Sequence, residues 1–229
     1  MAVCVLMGAP AATPKRGLYS SPLMIHRGSY TVLYDVNNGV PAAVWWMLEY
    51  RHTQGKPRGG QSYFKSDPAI PKPRPKHTDY NNSGYQRGHM CPAADRRWSK
   101  AECRSTFIMS NCAPQTIAVN TGAWLEIENR TRYETRRTKQ VAVACGSLFH
   151  SSVFITTASA TIRIPSSYWK IVYRLHPDTL VSVFQVPNDT VFRCMDDCRI
   201  TLDSLRHIVP DSILRMACSL PPRQYNPIF

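Results

Sequence analysis

Three side chains between Tyr80 and Arg132 have the types and order needed for metal-assisted hydrolysis: His89, Asn120 and Glu128. The stretch opens Y-N-N-S-G-Y-Q-R-G-H-M-C-P-A-A-D and, after an apolar run, continues N-T-G-A-W-L-E-I-E-N-R-T-R. A neutral imidazole suits proton abstraction from water near neutral pH. An amide oxygen with an outlying carboxylate suits magnesium, a hard cation that keeps most of its waters. On a helix advancing 100° per residue, Asn120, Trp124 and Glu128 form one stripe that Arg132 continues, while Glu126 lies about 160° from Glu128 and faces away. Each residue also has a plainer role. A lone His is more often structural, Asn is a favoured N-cap, and Glu128 with Arg132 makes an ordinary i,i+4 surface pair.

Four motifs in order supply more than the triplet does. Arg87-Gly88-His89-Met90-Cys91-Pro92-Ala93-Ala94 resembles the D-R-G-H signature of the DNA/RNA non-specific endonucleases, a ββα-metal family. Ser110-Asn111-x2-Pro114-Gln115 resembles their S-N-x-x-P-Q turn, and Asn120-x3-Trp124-x2-Ile127-Glu128 their N-x3-W-x2-L-E helix. Ile164-Pro165-x2-Tyr168-Trp169-Lys170 is similar to their I-P-x-x-Y-W-K strand, and Val141 to Phe149 to another family strand. The resemblance implies an α+β fold over one domain, residues 1–229. A central antiparallel sheet would be flanked by helices, with the catalytic His on a strand and the metal-ligand Asn on a helix.

The resemblance also implies roles. His89 is the general base, Asn120 a direct magnesium (or manganese) ligand, and Glu128 holds the ion's waters. Arg87 and Arg132 contact phosphate and offset transition-state charge. Gln86 and Asn111 support the site from behind it. Arg58, Lys72, Arg74 and Lys76, in a basic loop, would follow the phosphate backbone. The implied reaction is hydrolysis of DNA and RNA phosphodiesters, without sugar specificity, leaving 5′-phosphates. One departure matters: Gln86 stands where the family usually has Asp, keeping an oxygen but losing a charge.

Composition agrees with a polyanionic partner. Twenty-eight Lys and Arg against 15 Asp and Glu leave a net charge of +13, which points to nucleic acid or an anionic membrane. No apolar run approaches the roughly 18 residues of a membrane span, so nucleic acid is favoured. The hydrophobic fraction of 43% is that of an ordinary core. Cys91, Cys112 and Cys145 sit in apolar stretches and read as buried thiols; Cys194-x3-Cys198 lacks the second ligand pair of a zinc site. One or two bridges in the C-terminal half are left open. Three N-x-S/T sequons read as chance matches. Met1 to Pro10 lacks a basic n-region and is a poor secretory signal. A chain whose targeting peptide has been removed reads the same way, which leaves a secreted or organellar, mitochondrial-like location open. The residues do not report oligomeric state, and a homodimer enters only by analogy.

The elements that must position the site follow from local pattern. Alternation between Ser29 and Tyr50 predicts two antiparallel strands around Asn37-Asn38-Gly39. Seven Pro and Gly residues make Lys56 to Lys76 a long surface loop. Gln86 to Cys91 is a short strand, Trp98 to Cys103 a helical turn capped by Ser99, and Phe107 to Met109 a buried strand. The metal helix runs from about Asn120 to Thr138. Four later segments, including Val153 to Ile164, are expected to complete the sheet, followed by a helix from Thr201 to Ile208. Two readings compete with the enzyme: a nucleic-acid-binding protein on an inactive nuclease scaffold, and a zinc module around Cys194.

Overall fold

The computed structural model describes residues 22–55, 64–175 and 178–218. Its framework is a six-stranded sheet in the order β1-β2-β3-β6-β9-β10, formed by Pro22–Arg27, Tyr30–Asp35, Val40–Glu49, Gln140–Leu148, Ser167–Leu175 and Asp178–Pro187. Every neighbouring pair is antiparallel. The predicted hairpin is β2–β3. Its turn is held by the Asp35 carboxylate, which accepts from the N–H groups of Asn37 and Asn38 at 3.1 and 3.0 Å. Gly39 is required there twice over: its φ is +68°, and a Cβ would sit 2.6 Å from the Thr161 carbonyl oxygen.

Both faces of the sheet are covered, which explains why β3 is nearly continuous in apolar residues. Val44, Trp46 and Leu48 pack toward one core, with Trp124 and Ile127 of the long helix α2 (Trp124–Thr138). Ala43 and Trp45 pack toward the other, with Leu205 of helix α3 (Leu202–Ile208), Ile213 of helix α4 (Asp211–Cys218) and Val209 between them. Side chains alternate along a strand, so a strand with helices on both sides must be apolar at both parities.

The strands that carry the site lie outside this sheet. β4 (Gln86–His89) pairs with β5 (Cys112–Gln115) in a separate two-stranded ladder. β7 (Phe154–Thr156) and β8 (Thr161–Arg163) form a third sheet, so Val153 to Ile164 does not extend the main one as expected. Phe107 to Met109 is not a strand either. A single bridge joins Ile108 to Lys65, and Met109–Asn111 forms a 3₁₀ turn. Asn111 sets that turn, taking the Cys91 N–H on its side chain at 2.8 Å and donating to the Cys91 and Thr106 carbonyls. Helix α1 (Lys100–Ser105) starts as predicted on Ser99, whose hydroxyl accepts from Ala101 and Glu102 N–H groups. Glu102 does not close a capping box; it accepts from Ser29. Strand β1 and helix α4 lay outside the sequence reading. Cys91, Cys103, Cys112, Cys145, Cys194 and Cys198 are free, and Cys91, Cys112, Cys145 and Cys198 are buried.

Candidate active site

β4 reaches helix α2 because Gly88 lets its partner strand lie close. A Cβ on Gly88 would sit 2.1 Å from the Gln115 side-chain oxygen, and Gln115 is fully buried across the ladder. The space that this glycine leaves is therefore taken by a neighbouring side chain. The far end of β4 is clamped by Asn111, which fixes the backbone just after His89.

His89 lies between two rings that the sequence reading did not connect with it. Phe64 is tilted with its centroid 4.6 Å from the imidazole, and Phe107 meets it edge-on at 4.7 Å. Burial among these rings lowers the His89 pKa to about 4, so the imidazole is neutral at physiological pH. Its Nε2 is buried without a hydrogen-bond partner.

The helix does not begin as a regular α-helix. Val119–Ala123 is a π-helical turn containing a non-helical backbone at Gly122, and the Trp124 N–H bonds back to the Val119 carbonyl, five residues earlier. The straight stripe expected through Asn120, Trp124 and Glu128 is thus broken at its first member, because a wider turn advances less than 100° per residue. Nor is Asn120 an N-cap: its own N–H bonds to Thr116 at 3.0 Å inside the ladder. Its side-chain nitrogen donates to Gln86 Oε1 at 2.6 Å, which leaves the amide oxygen free. Trp124 is buried and donates from Nε1 to the His89 carbonyl at 3.3 Å. Two hydrogen bonds therefore tie the strand carrying His89 to the helix carrying Asn120.

Glu128 heads a buried charge cluster. Its side chain is 10% exposed and 3.8 Å from Arg132, which also bonds Asp95 at 2.8 Å and Asn129 at 2.8 Å. Desolvation raises the Glu128 pKa to about 7, and Lys170 and Arg132 oppose it. Lys170, fully buried on β9, places its Nζ 3.8 Å from the Trp124 ring centre. Two members of this cluster, Asp95 and Lys170, stood out in the sequence only as parts of motifs. The signal for Lys170 was available: a lysine between Trp169 and Ile171, inside the run Tyr168 to Tyr173 that is otherwise apolar or aromatic. Glu126 faces away as expected and accepts from the Met195 N–H at 2.7 Å.

The basic residues divide. Arg87 donates to the His77 carbonyl at 2.7 Å and to Asn81, so its guanidinium is anchored beside β4. Arg74 holds the carbonyls of Pro68 and Ile70 and serves the loop's own shape. Lys72 and Lys76 are exposed, whereas Arg58 lies outside the described residues. The loop itself is pinned, not merely solvated: Phe64, Asp67 and Ile70 are buried. Among the described residues no group of three or more His, Cys, Asp or Glu is placed to hold a metal, and this includes the surroundings of Cys194 and Cys198.

An antiparallel sheet flanked by helices, with a two-stranded ladder leaning on the start of a long helix, defines the α+β ββα-metal class of nuclease folds. A solved chain from the EndoG/EndoGI complex shares this fold, with a TM-score of 0.69 and 23% identity over 84% of this chain and 86% of that one. The model of the DNA/RNA non-specific endonuclease family matches residues 8–221, and the chain belongs to that family. Mitochondrial endonuclease G of Bos taurus is 32% identical over 62% of this chain and 48% of its own length. A nuclease of Nostoc sp. is 28% identical over 82% and 72% respectively. The mitochondrial nuclease of Saccharomyces cerevisiae is 30% identical over 70% and 57%. The chain thus spans about half the length of the first and third of these relatives.

Proposed function

We propose that the chain is a magnesium-dependent endonuclease, indifferent to the sugar, that hydrolyses phosphodiester bonds of DNA and RNA and leaves 5′-phosphate ends. The observation that carries this reading is the pair of hydrogen bonds joining Gln86 to Asn120 and the His89 carbonyl to Trp124. They hold a neutral imidazole and a free amide oxygen on adjoining elements. The donor set fits the ion: one amide oxygen on Asn120, a carboxylate on Glu128 beyond it, and no further acidic cluster among the described residues, so most ligands would be water. Magnesium, or manganese in its place, would supply Lewis-acid stabilisation of the charged phosphate.

The chain's own groups do the rest. His89 accepts a proton from the attacking water as its oxygen bonds to phosphorus. As it does so the bond to the 3′-oxygen breaks, that oxygen leaves with the electron pair and takes a proton from water, and the phosphate stays on the 5′ side. Glu128 would accept hydrogen bonds from the waters of a bound ion and so help to hold it. In this reading Arg87 and Arg132 offset charge on the crowded phosphate. A surface that grips phosphates carries no base information directly, which accounts for low sequence preference. The mitochondrial names of several relatives support an organellar location.

A plasmid-nicking assay tests the reading. Wild type is expected to nick supercoiled DNA and degrade RNA with magnesium and not with EDTA, and His89→Ala to be slower by about 10²–10⁴-fold. Equal DNA binding by both proteins with cleavage by neither would assign the chain to binding alone.

A further inference from the structure

We propose that a cleft on another face of α2 is a phosphate-binding site. The cleft has a volume of about 270 Å³ and lies between the second half of α2 and strands β9 and β10. Arg130, Arg137, Arg174 and Arg199 line it with one acid, Glu134; four positive charges against one negative leave a net of three. Its helix face, from Ile127 to Arg137, is centred roughly 120° around α2 from the face bearing Trp124, Glu128 and Arg132. It is therefore distinct from the site built on His89 and Asn120.

Three of the arginines are preset, and the fourth is not. Glu134 holds Arg130 at 2.9 Å and Arg137 at 3.2 Å, fixing both guanidinium groups at the rim. Arg199 is held by Asp196 at 2.7 Å and Ser182 at 2.9 Å, over the ring of Phe184. The Arg174 side chain has no ion-pair or hydrogen-bond partner among the described residues, and its Nε is buried. A buried guanidinium nitrogen without an acceptor is costly, and an incoming oxyanion removes that cost. Arginine forks match the oxygens of phosphate in pairs. With Asp196 offsetting Arg199, two surplus charges remain, which suit a phosphate ester better than a single carboxylate. The volume falls below the ~300 Å³ at which drug-sized pockets begin, as expected for one phosphate and its ester neighbour. The phosphate could be one on a nucleic-acid backbone or one on a free phosphomonoester; the chemistry is shared. This inference stands apart from the hydrolytic reading, because it concerns binding without turnover.

The test uses the full chain in EDTA, so that no cleavage intervenes. Calorimetric titration with inorganic phosphate and with adenosine 5′-monophosphate would compare wild type with Arg174→Gln. Fluorescence anisotropy of labelled single-stranded and duplex oligonucleotides would be followed across salt concentrations. Arg174→Gln is expected to weaken phosphate-bearing probes by roughly tenfold, with an unchanged melting temperature. A backbone source would lower the slope of log affinity against log salt by about 0.7–0.9 per lost contact. A free phosphomonoester source would leave that slope intact and weaken only the small probes. If Arg174→Gln does not fold, Arg130→Gln serves instead, since its side chain is 54% exposed. Unchanged affinity and slope in the folded variant would overturn the proposal. So would polyglutamate binding as tightly as the phosphate probes with the same dependence on the arginine.

Discussion

Gln86 stands where the sequence resemblance leads one to expect Asp. Its neutral side chain has a definite role in the structure, because its oxygen accepts from the Asn120 amide at 2.6 Å and so engages the nitrogen of that amide and not its oxygen. A carboxylate would hold the amide in the same way and add a negative charge next to the proposed ion. Gln86→Asp is therefore expected to lower the magnesium concentration needed for half-maximal nicking by about 10- to 100-fold, the usual worth of a supporting contact at a metal site. Gln86→Ala should move it the other way, because the Asn120 amide loses its partner. Identical magnesium titrations for wild type and both variants would show that residue 86 does not limit the site. His89 itself was legible in the sequence, since its neighbours form a motif. Its environment was not, because Phe64 and Phe107 come from segments with no motif of their own and meet it only through the Lys65–Ile108 bridge.

Among the elements, the first turn of the metal helix matters most to the site. Periodicity located α2 well, and its apolar residues Trp124 and Ile127 are buried as their spacing required. What periodicity does not register is a single wide turn, because 3.6-residue arithmetic assumes an unbroken ladder. The π-helical Val119–Ala123 segment turns on Gly122, and π turns recur at functional positions. Alanine is favoured over glycine in a regular helix by about 1 kcal/mol. A Cβ at Gly122 would come closest to the Phe192 ring, at 3.4 Å, an ordinary contact. Gly122→Ala should thus favour the regular ladder and turn Asn120 away from Gln86. The expected result is a melting temperature that does not fall, combined with a loss of magnesium-dependent nicking. Full activity in a folded Gly122→Ala protein would show that the wide turn does not place Asn120. Short elements were the other weak point. β4, β5, β7 and β8 have three or four residues each, too few for alternation to say which sheet they join.

At the scale of the molecule, ionisable groups lie under two packed layers, and this governs how the fold responds to acid. Burial lowers the pKa of both His52 and His89 to about 4, from an ordinary 6.5. As pH falls from 6.5 toward 4, the unfolded chain takes up two protons that the folded chain refuses, so each histidine removes stability across that window. Glu128 acts in the opposite sense. Burial raises its pKa from an ordinary 4.5 to about 7, so between 7 and 4.5 the folded chain holds a proton that the unfolded chain releases. Where the windows overlap, from about 6.5 to 4.5, two losses meet one gain. The net is about one proton, or about 1.4 kcal/mol of stability lost per pH unit. Denaturant unfolding in EDTA at several pH values would measure this slope. In Glu128→Gln the gain is gone and the slope should roughly double; in His52→Asn one loss is gone and the slope should approach zero. A wild-type stability that is flat or rising on acidification through this interval would show that the imidazoles are not held neutral by the fold. His89 would then be protonated through that acid interval and serve as a base only above it.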